Sequence, residues 1–360
     1  MKRCSLFLIA LLFLFSGCLK KNEDKNSSVS KNSVKIGFIY VGSVKDMGYN
    51  QAQDSGRVAL GKAGFKTMYV ENVPENDKAV LVMEALIKQG CNIIYCTSYG
   101  YKPYVLETAR RFPEVKFGHC SGDERLSNVS TYFGRIYEAR YLTGLVAGLR
   151  TSTNRIGYVA AFPVPECIRG INAFALGVKA VNPDAIVEVK FTHSWNDSEI
   201  EEKKAEELLK SGCDVMTQHQ NSTIIQKKTQ EKGAYCIGYN SSMIEAAPKS
   251  YLTAAVFNWE VFVLDDVNSY IEGNWKSRFY WEGLDSGMVD IDTLTKLCVP
   301  GTARIVEEAK NKIINKSLSI FKGPIYDNSG NLKIEDGVEM TSSEIWNMDW
   351  FVEGIVCKDL

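Results

Sequence analysis

The chain has 360 residues, of which 45% are hydrophobic and 24% charged, and its formal net charge is −1. That balance belongs to a globular protein facing water, and the near-zero charge excludes an electrostatic binder of nucleic acid. The length exceeds what one hydrophobic core usually serves, so two lobes are expected.

The first element is an apolar run over residues 6–15 behind Lys2 and Arg3. It is about half the length that spans a bilayer as a helix, and its layout is that of a secretory signal. Ser16 and Gly17 lead into Cys18, which resembles a bacterial lipobox with Phe15 where Leu is usual. Residues 1–17 are therefore expected to be a lipoprotein signal. Cys18 would be the acylated residue that anchors the protein to a cell membrane, on its periplasmic or extracellular face. Residues 18–33 are mostly Lys, Asn, Ser, Glu and Asp. Such a segment cannot bury enough surface to fold, and it reads as a flexible tether.

From residue 34 the pattern alternates. "VKIGFIYV" predicts a strand and "QAQDSGRVALGKAG" a helix ended by Gly64. "FKTMYVE", "CNIIYCTS" and "VKFGHCS" predict further strands, with "NDKAVLVMEALIKQG" and "PYVLETARRF" as the helices between them. After the long helix "IYEARYLTGLVAGLRT" the pattern restarts with strands "RIGYVAAF", "AIVEVKF", "CDVMTQH" and "AYCIGYN" between helices. Strands apolar on both faces and alternating with helices indicate parallel sheets covered by helices. The two halves rhyme, "LIKQGCNIIYCTSYG" in the first with "LLKSGCDVMTQHQNS" in the second. Each half therefore reads as a doubly wound unit, and the two units face each other across a cleft.

Ligands of open α/β sheets bind outside the carboxyl ends of the strands. The tips there carry Asp46, Tyr49, Asn50, Ser98, Tyr99, Trp195, Gln220, Asn221, Asn240 and Asn258. One aromatic per lobe, Tyr49 and Trp195, makes a slot for a flat ring, and stacking on an aromatic is worth about 1–3 kcal/mol per base. The amides and hydroxyls both donate and accept, which suits the edge of an uncharged heterocycle. Asp46 would accept from an exocyclic amine or a ribose hydroxyl. Each residue also has a plainer role, since Asn and Asp at such tips commonly cap the next helix.

Other motifs carry little. Gly56 and Lys62 fit the start of a phosphate loop, but Ala63 replaces the Ser/Thr for magnesium and the stretch reads as mid-helix. His119, His193 and His219 are scattered, and His193 with Asp197 has no nucleophile beside it. No catalytic residue, metal site or cofactor is expected. Of the ten cysteines, Cys4 falls in the signal and Cys18 at its end; the other eight form no CxxC and read as reduced core thiols.

The stretches "KIGFIYVGSVKDMGYNQAQDSGR", "YEARYLTGLVAG", "GYVAAFPVPECIRGINAFALGVKAVNP", "THSWND", "CDVMTQHQNST" and "KGPIYDNSG" resemble the basic membrane protein (PnrA-like) family. These are substrate-binding lipoproteins of ABC transporters, and the likeness runs through nearly all of residues 34–355. The resemblance implies an α/β, type I periplasmic-binding fold: two doubly wound parallel-sheet lobes, a hinge of three crossovers and a central cleft. The first lobe would be 34–150, completed by about 259–280. The second would be 151–258, completed by about 281–360. It further implies a monomeric, non-enzymatic receptor working with an ABC permease. A purine would lie between Tyr49 and Trp195. The Asp that holds ribose in the family's nucleoside binders corresponds to Asn240. An amide grips vicinal hydroxyls less strongly than a carboxylate, so the order is purine base, then nucleoside, then riboflavin. A surface antigen or adhesin without a transport role is the reading from another class.

Overall fold

The computed structural model describes residues 29–357; the signal, Cys18 and residues 19–28 lie outside the described residues. Residues 29–33 of the expected tether are instead part of the fold, since Lys31–Ser33 form a 3-10 turn and the Val29 N–H donates to the Ile271 carbonyl at 2.7 Å. The chain enters β1 (Lys35–Ile39), α1 (Tyr49–Lys62), β2 (Lys66–Val70), α2 (Lys78–Lys88), β3 (Ile93–Cys96), α3 (Lys102–Arg111), β4 (Lys116–Cys120) and β5 (Val129–Gly134). It continues through α4 (Ile136–Arg150), β6 (Arg155–Ala160), α5 (Pro165–Val181), β7 (Ile186–Phe191), α6 (Ser198–Lys210), β8 (Val215–His219), α7 (Ile224–Glu231), β9 (Tyr235–Asn240) and β10 (Tyr251–Phe257). The last third holds α8 (Trp259–Ile271), β11 (Phe279–Glu282), β12 (Val289–Ile291), α9 (Thr302–Ile314), β13 (Ile325–Tyr326), β14 (Leu332–Ile334), α10 (Ser342–Trp346) and β15 (Ile355–Cys357).

Two large sheets organise these elements, beside a small antiparallel pair of β13 and β14. The first has the order β11-β5-β4-β3-β1-β2 and the second β12-β10-β9-β8-β6-β7-β15. All neighbours in these two are parallel except β12, which runs antiparallel to β10. Strands β3, β5 and β8 are buried along their whole length, as parallel strands between helical layers must be. Strand β2 is an edge, and its Tyr69 is 43% exposed.

The chain changes sheets three times. It leaves the first sheet at Gly134, because α4 packs on α5, α9, β10 and β12 of the second lobe. The first lobe therefore ends at residue 134, earlier than the expected boundary at 150. Helices α4 and α5 touch backbone to backbone: a Cβ on Gly144 would lie 2.1 Å from the Phe174 carbonyl oxygen. The second crossover follows β10, after which α8 packs on α1 and β11 joins the first sheet. The third runs from Glu282 back to β12. Strands β5 and β10 are absent from the predicted elements. At β10 the βα rhythm fails, since the preceding stretch 241–250 is turns and not a helix.

Side chains tie the crossovers together. Arg135 donates to the Trp281 carbonyl at 2.9 Å, to Tyr137 Oη at 3.1 Å and to Ser342 Oγ at 3.1 Å. Asn258 donates to the Gly287 carbonyl at 2.8 Å. Glu138 accepts from the Leu284 N–H at 2.8 Å. Burial pushes the Glu138 carboxyl up to about 7; the Leu284 bond and Arg135 oppose this, while Asp285 and Glu282 add to it.

A folded state that keeps a proton the unfolded chain releases loses stability as pH rises through that window. For Glu138 the window runs from its ordinary 4.5 to about 7, and the cost at the top is on the order of 3 kcal/mol. Glu138→Gln keeps an acceptor for Leu284 and cannot ionise. Urea midpoints should therefore fall less between pH 5 and pH 8 in the variant than in the wild type. Identical pH dependence in the two proteins would contradict this assignment.

Candidate ligand-binding cleft

Each sheet reverses strand order once near its centre, and the reversals face each other. In the first sheet the reversal lies between β1 and β3, and in the second between β6 and β8. Loops diverge at such a point and leave a crevice. Tyr49 and Thr97 follow β1 and β3; Glu166 follows β6, and His219 ends β8.

On the first lobe the β1–α1 loop is folded around Asp46. Its Oδ1 accepts from the Gly48 and Gln51 N–H groups at 2.9 and 3.0 Å. Its Oδ2 accepts from the Asn50 backbone N–H at 2.9 Å and from Asn50 Nδ2 at 2.8 Å. Asn50 Oδ1 in turn accepts from the Gly42 N–H at 3.2 Å. Asp46 and Asn50 thus spend their polar atoms on the loop, and Asp46 caps α1 instead of offering a free carboxylate. Tyr49 stands in the first turn of that helix, with its ring edge-on to Trp259. Its hydroxyl donates to the Thr97 carbonyl, lies 3.3 Å from Cys120 Sγ and accepts from Gln53 Nε2 at 3.2 Å. Burial, then the neighbouring Cys120 and Tyr132, raise its pKa well above the usual range, so Tyr49 is a neutral, fixed ring.

On the second lobe Trp195 is 37% exposed. Its ring centroid is 5.4 Å from Phe162 and 6.0 Å from His219, and its carbonyl accepts from the Asn221 N–H at 3.1 Å. Gln220 is buried; its Nε2 donates to Thr192 Oγ1 at 2.6 Å and its Oε1 has no partner among the described residues. Asn240 closes β9 with φ of +71°. It is 1% exposed, and neither its Nδ2 nor its Oδ1 has a partner among the described residues.

Between the lobes lies a charged group. Glu166, in the first turn of α5, has its Oε1 3.5 Å from His219 Nε2. That same nitrogen lies 3.0 Å from Tyr239 Oη. Burial alone would raise the Glu166 carboxyl. The hydrogen bond from His219, with the nearby Arg169 and the Ser121 hydroxyl, outweighs it and holds the group below its usual range. His219 is neutral, because burial lowers its pKa and Arg140 adds to the effect against the pull of Glu166. Arg140 stacks 3.9 Å above the Tyr239 ring and donates to the Gln218 carbonyl at 2.7 Å.

The lobes meet around this region. Ser241 Oγ donates to the Met47 carbonyl at 3.2 Å. A Cβ on Gly48 would fall 2.3 Å from the Asn221 carbonyl oxygen. The cleft is closed along this edge, and two open depressions lie elsewhere. One runs along α1 beside Val58 and Glu260, the other lies between Lys333 and Trp350. Neither is lined by Tyr49, Trp195, Glu166 or Asn240.

The family model described as ABC transporter substrate-binding protein PnrA-like matches residues 33–323. The chain belongs to this PnrA-like family. A purine-binding protein of Brucella abortus is 33% identical over 91% of this chain and 94% of its own. A Haloferax volcanii protein, named as a candidate glucose-binding component of an ABC transporter, is 31% identical over 90% of this chain and 80% of its own. Among solved structures, an ABC transporter solute-binding protein from Conexibacter woesei superposes with a TM-score of 0.68 at 20% identity, covering 79% of this chain and 97% of its own. The type I periplasmic-binding fold expected from the sequence is therefore present. PnrA-like proteins are extracytoplasmic substrate-binding components, and no helix among the described residues is long and apolar enough to cross a membrane.

The sequence-predicted residues of this PnrA-like protein fall into three groups. Tyr49, Trp195, Gln220, Asn221 and Asn240 surround the junction of the lobes. Asp46 and Asn50 build the loop that carries Tyr49. The remaining three sit apart from that ring of residues. The Ser98 hydroxyl donates to the Glu75 carboxylate and the Ser98 carbonyl receives His119 Nε2 at 3.0 Å, while burial pushes the pKa of His119 down to about 4. Tyr99 is 55% exposed, and Asn258 belongs to the hinge. Sequence reasoning missed Glu166, Tyr239 and Arg140. The β6–α5 connection, "FPVPE", is a strand tip of the same kind as the others, and testing it would have found Glu166.

Gly48→Ala should hold the lobes apart, because the added methyl meets a backbone carbonyl that cannot swing away; such overpacking costs about 1–3 kcal/mol. Small-angle scattering should give a larger radius of gyration for the variant, with a circular-dichroism spectrum like that of the wild type. Matching scattering curves would show that this contact does not limit closure.

Proposed function

We propose that this protein is a lipid-anchored receptor that captures a purine base and delivers it to an ABC permease. The observation that carries the reading is Asn240, whose amide is buried beside the lobe junction with its donor and its acceptor both unpaired among the described residues. A buried polar group left without a partner costs about 1–3 kcal/mol. An amide offers a donor and an acceptor side by side, and Asn meets the edge of adenine in this bidentate way. Tyr49 and Trp195 supply the faces of the slot. The kinship with a purine-binding protein supports the same reading.

The alternatives fit less well. A nucleoside would place vicinal hydroxyls where a carboxylate grips best, and Asn240 is an amide. Riboflavin needs a longer slot than one aromatic per lobe. Binding closes the hinge and changes the outer faces of both lobes, which is what a permease can read. The Cys18 lipid keeps the receptor beside its transporter and raises its local concentration there.

Calorimetry against adenine, guanine, adenosine, riboflavin and glucose tests the ligand class. A purine base should bind tightest, and Tyr49→Ala and Trp195→Ala should each weaken it by about tenfold or more. Unchanged affinity in both variants would remove the sandwich, and glucose as the tightest ligand would replace the purine. Cys18→Ala should move the protein from the membrane fraction to the soluble one. Retention that still requires detergent would count against acylation.

A further inference from the structure

We infer that Glu166 is the specificity-determining residue of this cleft: it accepts a hydrogen bond from the imidazole-ring N–H of an unsubstituted purine, so the receptor takes the free base and rejects the N-glycosylated one. This rests on the purine reading above and names the chemistry that selects within it.

The argument is one of placement. Glu166 occupies the first turn of α5, directly after β6 at the strand reversal of the second sheet. Its carboxylate faces groups from both lobes. On the second lobe it approaches His219 at 3.5 Å, and the His219 ring lies beside Trp195. On the first lobe the Ser121 hydroxyl helps to hold it charged, and its field reaches Tyr49 and Cys120. The side chain keeps 24% of its surface accessible at this depth.

A carboxylate only accepts hydrogen bonds and offers about four sites for them. The donors already near it leave capacity unused. His219 Nε2 is long at 3.5 Å and is also claimed by Tyr239. Arg140 donates to Gln218 and Thr217 and Arg169 to the Trp346 carbonyl, none of these bonds reaches Glu166, and the Nε of each has no partner among the described residues. The vacant capacity of the carboxylate can take a neutral N–H donor on the ligand. The imidazole ring of a free purine has one such group, and glycosylation replaces that hydrogen with a sugar. A site built around a polar partner rejects analogues lacking it far more strongly than an apolar pocket rejects a methyl group.

The test compares adenine with 9-methyladenine, by calorimetry, on the wild type and on Glu166→Leu, which removes the acceptor. The wild type should bind adenine at least about 100-fold more tightly. In Glu166→Leu that ratio should fall below about tenfold, chiefly through weaker binding of adenine. Equal affinity of the wild type for the two compounds overturns the assignment and leaves the purine reading standing. A ratio unchanged in Glu166→Leu means that the methyl is excluded sterically, and also overturns it. Failure of any purine to bind the wild type overturns both. Should the variant not fold, the wild-type pair of ligands still decides the first outcome, and Glu166→Asp, with a shorter carboxylate, replaces the second.

Discussion

The carboxylate of Asp46 gathers four donors from the loop between β1 and α1, and most of the cleft's geometry follows from that. A charged acceptor bonded to backbone N–H groups at a helix start is a strong cap, since it satisfies donors that the helix leaves orphaned and meets the positive end of its dipole. Here the cap does more than begin a helix. It fixes the residues just after it, so that Met47 offers its carbonyl to Ser241, Gly48 lies against Asn221, and the Tyr49 ring is fixed among Thr97, Cys120, Gln53 and Trp259. One loop therefore sets both a wall of the slot and the surface on which the other lobe comes to rest.

Around that slot the polar groups are of two kinds. Amides and hydroxyls dominate, and they are neutral. Glu166 is the exception, and its charge is maintained by its surroundings: a neutral imidazole, a hydroxyl from the opposite lobe, and a guanidinium on the next turn of its own helix. Arg140 and Arg169 are buried on aromatic faces, so their fields act on the cleft without placing a cation at its surface. Under the purine-base reading proposed above, such a cleft would take an uncharged ring rich in N–H groups. It suits an anionic ligand poorly, because the charge exposed to the slot is already negative.

Much of the fold could be read from the sequence, because parallel strands buried on both faces and amphipathic helices leave opposite signatures. The strands that escaped, β5 and β10, are those next to a change of sheet, where the local rhythm that reveals neighbours is interrupted. The lobe boundary escaped for a related reason. Helix α4 continues the chain from β5 without a break, and only its packing on α5 shows which lobe owns it. In the site, Tyr49, Trp195 and Asn240 could be proposed from their places at strand tips, though an Asn there commonly caps the next helix and only the structure shows the Asn240 amide buried. Asp46 misled because a carboxylate at a tip looks the same in sequence whether it caps a helix or holds a ligand. Glu166 escaped because the β6–α5 tip that carries it was not among those tested, although it follows its strand as directly as the others do.

The unpaired amides also bear on how the receptor moves. In the closed arrangement the Asn240 amide and Gln220 Oε1 are buried with no partner among the described residues, a penalty of about 1–3 kcal/mol for each group. An open cleft would return them to solvent. Closure without ligand is thereby disfavoured, whereas a ligand that pairs these groups removes the penalty and adds stacking on both rings. A ligand shifts a two-state equilibrium only by its difference in affinity for the two states, and these groups are where that difference arises. The crossovers, knotted by Arg135, Glu138 and Asn258, confine the response to a hinge. On the proposed reading, recognition and closure would be a single event, driven by the same few polar atoms.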